Sequence, residues 1–219
     1  MAVRLSSVGN LWPRRAKTKV IGLFIAFSLL SGNIQASFAL KQNSEEKKVG
    51  RTEPYSDPDG YQIYAILLNG GEGSSFVIQA ETESWQKVTA KNLGIKGDSK
   101  FKKRWGTALR DFAAKYRTPK LLSSSIPITA AYKIVPADSL LEIFKREQGW
   151  TTFSQRYPLA HGFYVFSPVG FNGPRTRAVV WMMNSCGELC GYGTYHFFEK
   201  DSGRWHEVSV RAQVPTIVS

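Results

Sequence analysis

The residues of this 219-residue chain best equipped for chemistry are its two cysteines and three histidines. Cys186 and Cys190 enclose Gly187-Glu188-Leu189, His196 follows in the next apolar run, and His161 and His206 flank the whole stretch. Three chemistries are open to such a set. Two neighbouring cysteines in an exported chain form a disulfide, and Gly187 and Gly191 favour the turn that brings their Cα atoms into range. A redox dithiol is the second; C-x3-C lacks the two-residue spacing and helix N-terminus that depress a thiol pKa. A zinc site is the third, from Cys186, Cys190, His196 and one of His161 or His206. That spacing matches no established zinc motif, and oxidised cysteines cannot ligate. Met182-Met183 would extend the set towards copper(I), but neighbours on a strand point to opposite faces. The expectation is a structural disulfide between Cys186 and Cys190, with no metal and no cofactor.

Other catalytic arrangements find less support. Ser123-Ser124-Ser125 lies in a loop without a nearby histidine or acid, and no G-x-S-x-G elbow occurs. Tyr195, His196 and Glu199 share a run in which His196 faces away from the other two. Glu142, Glu147, Glu188 and Glu199 show no spacing that recommends a glycosidase pair. Gly70-Gly71-Glu72-Gly73 lacks the lysine and the strand–helix frame of a phosphate loop. No catalytic residue is assigned. His161, beside Gly162 and after Pro158, reads as an exposed loop histidine.

The elements that must position these residues are legible in part. Gly162–Val210 holds four runs rich in Phe, Tyr, Val and Trp, separated by Asn172-Gly173-Pro174, Cys186-Gly187 and Asp201-Ser202-Gly203. That is the pattern of an antiparallel meander, with Pro168 marking an edge or a bulge. Upstream, Asp57-Pro58-Asp59 opens a helix bearing Tyr61, Tyr64, Ala65 and Leu68 on one face. A strand competes there, because Tyr61, Ile63, Ala65 and Leu67 also alternate; the cap decides for helix. Ser75–Gln79 is a short strand, followed by a polar loop carrying Trp85. Phe101, Trp105, Leu109, Phe112 and Tyr116 recur at helical spacing until Thr118-Pro119, as core rather than cofactor box. Tyr132–Val135 reads as a strand, Asp138 as the cap of a short helix through Lys145. Trp150, Phe153 and Tyr157 mark another turn or two of helix. The fold class is α+β, a single domain over 58–219 in which N-terminal helices pack on a C-terminal antiparallel β-meander.

The first 39 residues form a secretory signal peptide in this reading. Arg4, Arg14, Arg15, Lys17 and Lys19 precede the apolar run Val20–Leu30, and Ser37-Phe38-Ala39 supplies the small residues for cleavage after Ala39. Eleven helical residues rise only about 16 Å, roughly half a bilayer core, so no stable membrane span is expected. Residues 40–57 form a polar, flexible lead-in. Five of the 29 basic residues fall in the leader, which leaves 24 against 17 acids, a net charge of +7 for the exported part. The excess is scattered over Lys47-Lys48, Lys100–Arg104 and Lys115–Lys120, which speaks for a solvated face and against nucleic acid as a partner.

The segments GWTTFSQRYP, FSPVGFNGPRTRAVV and CGELCGYGTYHFFEKDSGRWHEV together resemble a group of exported bacterial proteins. Its pattern runs GW..F...YP, S.VGFN....A.V, C..LCG.G.Y and LEK..G.W.V. The resemblance covers about half the chain, with Phe197-Phe198 where the pattern has leucines. It implies export, to the periplasm or the extracellular space, and brings no activity or catalytic residue with it. The expected function is non-catalytic: an exported binding module presenting aromatic surface to a protein or small-molecule partner in the envelope. The alternative is an envelope redox or metal-dependent protein using the Cys186/Cys190 turn with His196.

Overall fold

The computed structural model describes residues 52–69, 75–123, 125–145 and 148–218. The leader with its cleavage point at Ala39, and residues 40–51 of the lead-in, lie outside the described residues. The chain runs through α1 (Pro58–Asn69), β1 (Ser75–Gln79), β2 (Lys96–Gly97), α2 (Ser99–Lys115), β3 (Ala131–Val135), α3 (Ala137–Phe144) and α4 (Gly149–Arg156). It continues with β4 (Ala160–Phe166), β5 (Gly170–Phe171), β6 (Arg177–Gly187), β7 (Cys190–Asp201), β8 (Arg204–Glu207), β9 (Ala212–Gln213) and β10 (Thr216–Val218).

The expected meander is present: β4 through β8 pair in antiparallel succession, and β6 and β7 form its long central hairpin. Pro168 falls in the break between β4 and β5, both of which pair with β6. There the Ser167 hydroxyl oxygen accepts from Trp181 N at 2.8 Å, so the break leaves no orphan donor. The sheet also extends in a way the meander does not announce. β1 lies beside β4 and β3 beside β1, both parallel, giving the order β10-β7-β6-β4-β1-β3. Parallel neighbours need crossovers, and α2 supplies one while α3 and α4 supply the other.

Strand alternation assigns the two sheet faces to different helices. Phe76, Ile78, Tyr164, Phe166, Val180 and Phe198 point at α1, which buries Tyr61, Ile63, Tyr64 and Leu68 against them. Val165, Val179, Trp181 and Phe197 point the other way, to Trp105, Leu109 and Phe112 of α2. α3 and α4 extend that second layer, with Phe153 and Ile143 over Val77 and Val135. Met182 belongs to the α1 side and Met183 to the α2 side, opposite faces as the alternation requires.

The helix starts have distinct causes. Asp57 accepts from Gly60 N at 3.3 Å and Asp98 from Phe101 N at 2.7 Å, the side-chain caps that open α1 and α2. Asp138 does not cap α3: it sits within the first turn, and Ala137 N is satisfied by Glu81 Oε2 at 2.7 Å from another part of the chain. Tyr55, in the last residues before α1, is buried beside Tyr61 and Tyr64.

A charged corner ties α1 to the far end of the sheet. Asp59 is held by Lys200 at 2.9 Å, Arg175 at 3.0 Å and the Trp205 indole N–H at 3.1 Å. Arg175 also reaches Asp57 at 2.6 Å and lies 3.9 Å over the Phe171 ring. Burial works to raise the Asp59 pKa, but these donors outweigh it and hold the carboxyl below its ordinary range. Among the described residues no helix is long and apolar enough to cross a membrane.

Candidate functional site

α1 does not cover its sheet face completely. Beyond its C-terminal half, at the end where β6 turns into β7, a cavity of about 740 Å³ opens. Its walls follow from strand period and register. Asn184 pairs with Tyr192, Met182 with Thr194 and Val180 with His196, so these side chains share the α1 face. Ile66 and Leu67 of α1 and Trp150 of α4 complete an apolar side.

His196 is positioned from the neighbouring hairpin. The Asp201-Ser202-Gly203 turn, with Ser202 and Gly203 at positive φ, returns the chain so that Glu207 lies opposite Phe198. Glu207 is then diagonal to His196 on the same face, a separation that side chains bridge. Its Oε1 is 2.6 Å from His196 Nδ1. A carboxylate only accepts, so Nδ1 carries the proton and donates, and in the neutral tautomer with that proton Nε2 is the acceptor. That Nε2 is buried and has no hydrogen-bond partner among the described residues. Asn184 repeats the situation: its Nδ2 donates to the Tyr164 hydroxyl at 3.3 Å, while Oδ1 is buried without a donor. With Nδ1 as the donor in a neutral ring, the side chains of one cavity carry two acceptor atoms that have no donor among the described residues.

Cys186 and Cys190 form the expected disulfide, with Cα atoms 5.0 Å apart, on the rim of the same cavity. His161 also lines it, but from strand β4 rather than a loop, and it is exposed. His206 is paired opposite Glu199 and so faces the α2 side, away from His196. Of the five residues considered for zinc, the two cysteines are bonded to each other, His161 and His196 line the cavity, and His206 lies on the other face. Among the described residues no group of three or more His, Cys, Asp or Glu is placed to hold a metal ion.

The remaining candidates have structural partners. The Tyr61 hydroxyl lies 3.0 Å from Ser123 Oγ, fixing that loop to α1. Glu199 is held by Arg104 and Arg177 on the α2 side; these bonds, led by Arg104, lower its pKa. Glu142 pairs with Lys145, and Glu188 is exposed at the hairpin tip. Glu147 lies outside the described residues. No hydroxyl or thiol is hydrogen-bonded to His196 among the described residues, so a nucleophile–base pair is not assembled.

Sequence reasoning singled out His196 and the cysteines but missed Glu207, Asn184 and Tyr192. A signal for Glu207 exists: counting back across the Asp201-Ser202-Gly203 turn places it diagonal to His196. Comparison with protein-family profiles, with curated proteins and with solved structures finds no match.

Proposed function

We propose that this protein is an exported binding protein whose cavity at the disulfide end of the sheet takes a small ligand presenting hydrogen-bond donors. The observation that carries the reading is a pair of buried atoms, His196 Nε2 and Asn184 Oδ1, in the walls of one cavity and without a hydrogen-bond partner among the described residues. A buried acceptor without a donor costs roughly 1–3 kcal/mol, which a donor-bearing ligand would relieve. Tyr192 and Trp150 offer aromatic surface for the apolar part of such a ligand. The basic leader and apolar run support export, and cleavage after Ala39 would release the domain.

The test is mass spectrometry of small molecules carried by the natively exported protein, followed by thermal-shift titration with each. A ligand that stabilises the wild type should bind roughly tenfold more weakly to His196→Ala and to Asn184→Leu, the worth of one hydrogen bond each. Undiminished affinity in both variants would remove the reading. N-terminal sequencing of the exported form checks the cleavage point.

One observation favours a second reading: the disulfide and His196 border the same cavity. A redox function would use Cys186 and Cys190 as an exchangeable pair near an anchored imidazole. Alkylation of the natively exported protein separates the two readings. Rapid labelling of both sulfurs under mild reducing conditions supports redox exchange, and resistance supports a structural bridge.

A further inference from the structure

The second layer of the molecule carries a depression unrelated to the cavity at the disulfide end. On α2, Lys102, Gly106 and Arg110 follow at intervals of four and so stack along one stripe, the two cations exposed and Gly106 half-buried. The residue between the two cations has no side chain, and the helix surface is dished there. A Cβ built on Gly106 would meet only Arg110 Nη1, at 3.6 Å. The dish opens into a cavity of about 620 Å³ between α2 and the segment that carries Lys91 and leads into Lys96 of β2, within the roughly 300–1,000 Å³ of small-molecule sites. Its floor is apolar: Phe101 and Leu109 are each 7% exposed, with Ile95 beside them.

The rim has one sign of charge. Lys91, Lys96, Lys102 and Arg110 border the cavity and no acidic residue does. None of the four has an acidic partner among the described residues; Arg110 reaches only the Thr107 hydroxyl, at 3.3 Å. The acids of this helix are engaged elsewhere. Asp98 caps α2 through Phe101 N, and Asp111 holds Lys115 at 2.7 Å and Phe171 N at 2.7 Å. Four unneutralised cations around an apolar hollow complement a molecule with an anionic head and a hydrocarbon tail. The hollow is concave, its apolar atoms recessed below the cations, so a flat bilayer does not reach them but a detached chain does. We propose that this trough binds a single-chain anionic amphiphile, with the hydrocarbon over Phe101 and Leu109 and the carboxylate or phosphate head between Lys102, Arg110 and the facing lysines.

Calorimetric titration of the purified protein with dodecanoate, below its micelle concentration, tests this. The expected result is saturable one-to-one binding, at least tenfold weaker for the neutral dodecyl glucoside and absent for butyrate. Gly106→Leu, which fills the dish, and the double charge reversal Lys102→Glu/Arg110→Glu should each weaken dodecanoate at least tenfold at unchanged melting temperature. Lys102 and Arg110 are exposed, a Cβ on the half-buried Gly106 meets only Arg110 Nη1, and leucine is a better helix former than glycine. His196→Ala should bind dodecanoate as the wild type does, which keeps this site distinct from the cavity at the disulfide end. The proposal is overturned by absence of dodecanoate binding, by equal affinity for the neutral amphiphile, or by wild-type affinity in both trough variants. Binding confined to anionic phospholipid vesicles would also overturn it, replacing a chain pocket with a surface contact.

Discussion

At the scale of single residues, close approach decides more than chemistry does. Gly170 of β5 touches α2 backbone to backbone: a Cβ there would stand 2.3 Å from both Phe112 N and Phe112 Cα. Neither atom can move without bending the helix, so Gly170→Ala should cost more than the 1–3 kcal/mol typical of overpacking, read as a lower denaturation midpoint at unchanged m-value. Asp59 is the second position of this kind, because three donors converge on one carboxylate. Asp59→Ala should lose about 2 kcal/mol or more in chemical denaturation, since each charged hydrogen bond contributes about 1.5–3 kcal/mol and the buried Trp205 N–H is orphaned. How much of the site could be read from residues alone follows from the same distinction. His196 and the cysteines stand out by type, whereas Asn184 and Tyr192 are ordinary strand residues until register places them on one face.

At the scale of elements, the long β6–β7 hairpin is held at its far end by the disulfide. A five-residue loop gives about 2 kcal/mol in the chain-entropy account. Cys186→Ser/Cys190→Ser should therefore fold, with stability lower by about that amount and the sheet spectrum retained by circular dichroism. A collapse of the fold in that variant would show the bridge to be essential rather than local. α2 was the most legible element, since five large side chains at spacings of three and four can only form one stripe on a helix. α1 was ambiguous, and the Asp57 cap resolved it correctly. The parallel placement of β1 and β3 could not be read, because a five-residue apolar run carries no mark of its partner. The same holds for the start of α3: Asp138 had the right residue type, but Glu81, distant along the chain, took the position. Aromatic content misleads for a related reason. Most of the Phe, Tyr and Trp side chains fill three clusters between the sheet and its helices, leaving Trp85 and Tyr192 as the most exposed large aromatics among the described residues.

At the scale of the whole molecule, the two covered faces are each fastened by a carboxylate that the fold holds ionised. Asp59 secures the α1 side and Glu199 the α2 side, and both pKa values lie below the ordinary carboxylate range. A group depressed in the folded state contributes its stability above the unfolded pKa, about 4, and loses it as pH falls through the folded value. Denaturation midpoints should fall as the pH drops below about 4, and Asp59→Asn/Glu199→Gln should flatten that decline. An unchanged acid limb in the double variant would assign the loss to other groups.

The lateral rims of the sheet have a consequence for how this protein behaves in a crowd. On one side β7 is sheathed by two short pieces, β10 along Tyr192–Thr194 and β8 along Phe198–Asp201, with Val208 N bound to Phe197 O at 2.8 Å between them. On the other side β3 is only five residues long and carries the exposed Lys133, whose ammonium lies 5.5 Å from the Tyr157 ring centroid. Neither margin offers a long, flat, uncharged ribbon for a second molecule to zip onto. Concentrated solutions should accordingly stay clear of fibrils, so that whatever company this protein keeps is chosen by its hollows rather than by its borders.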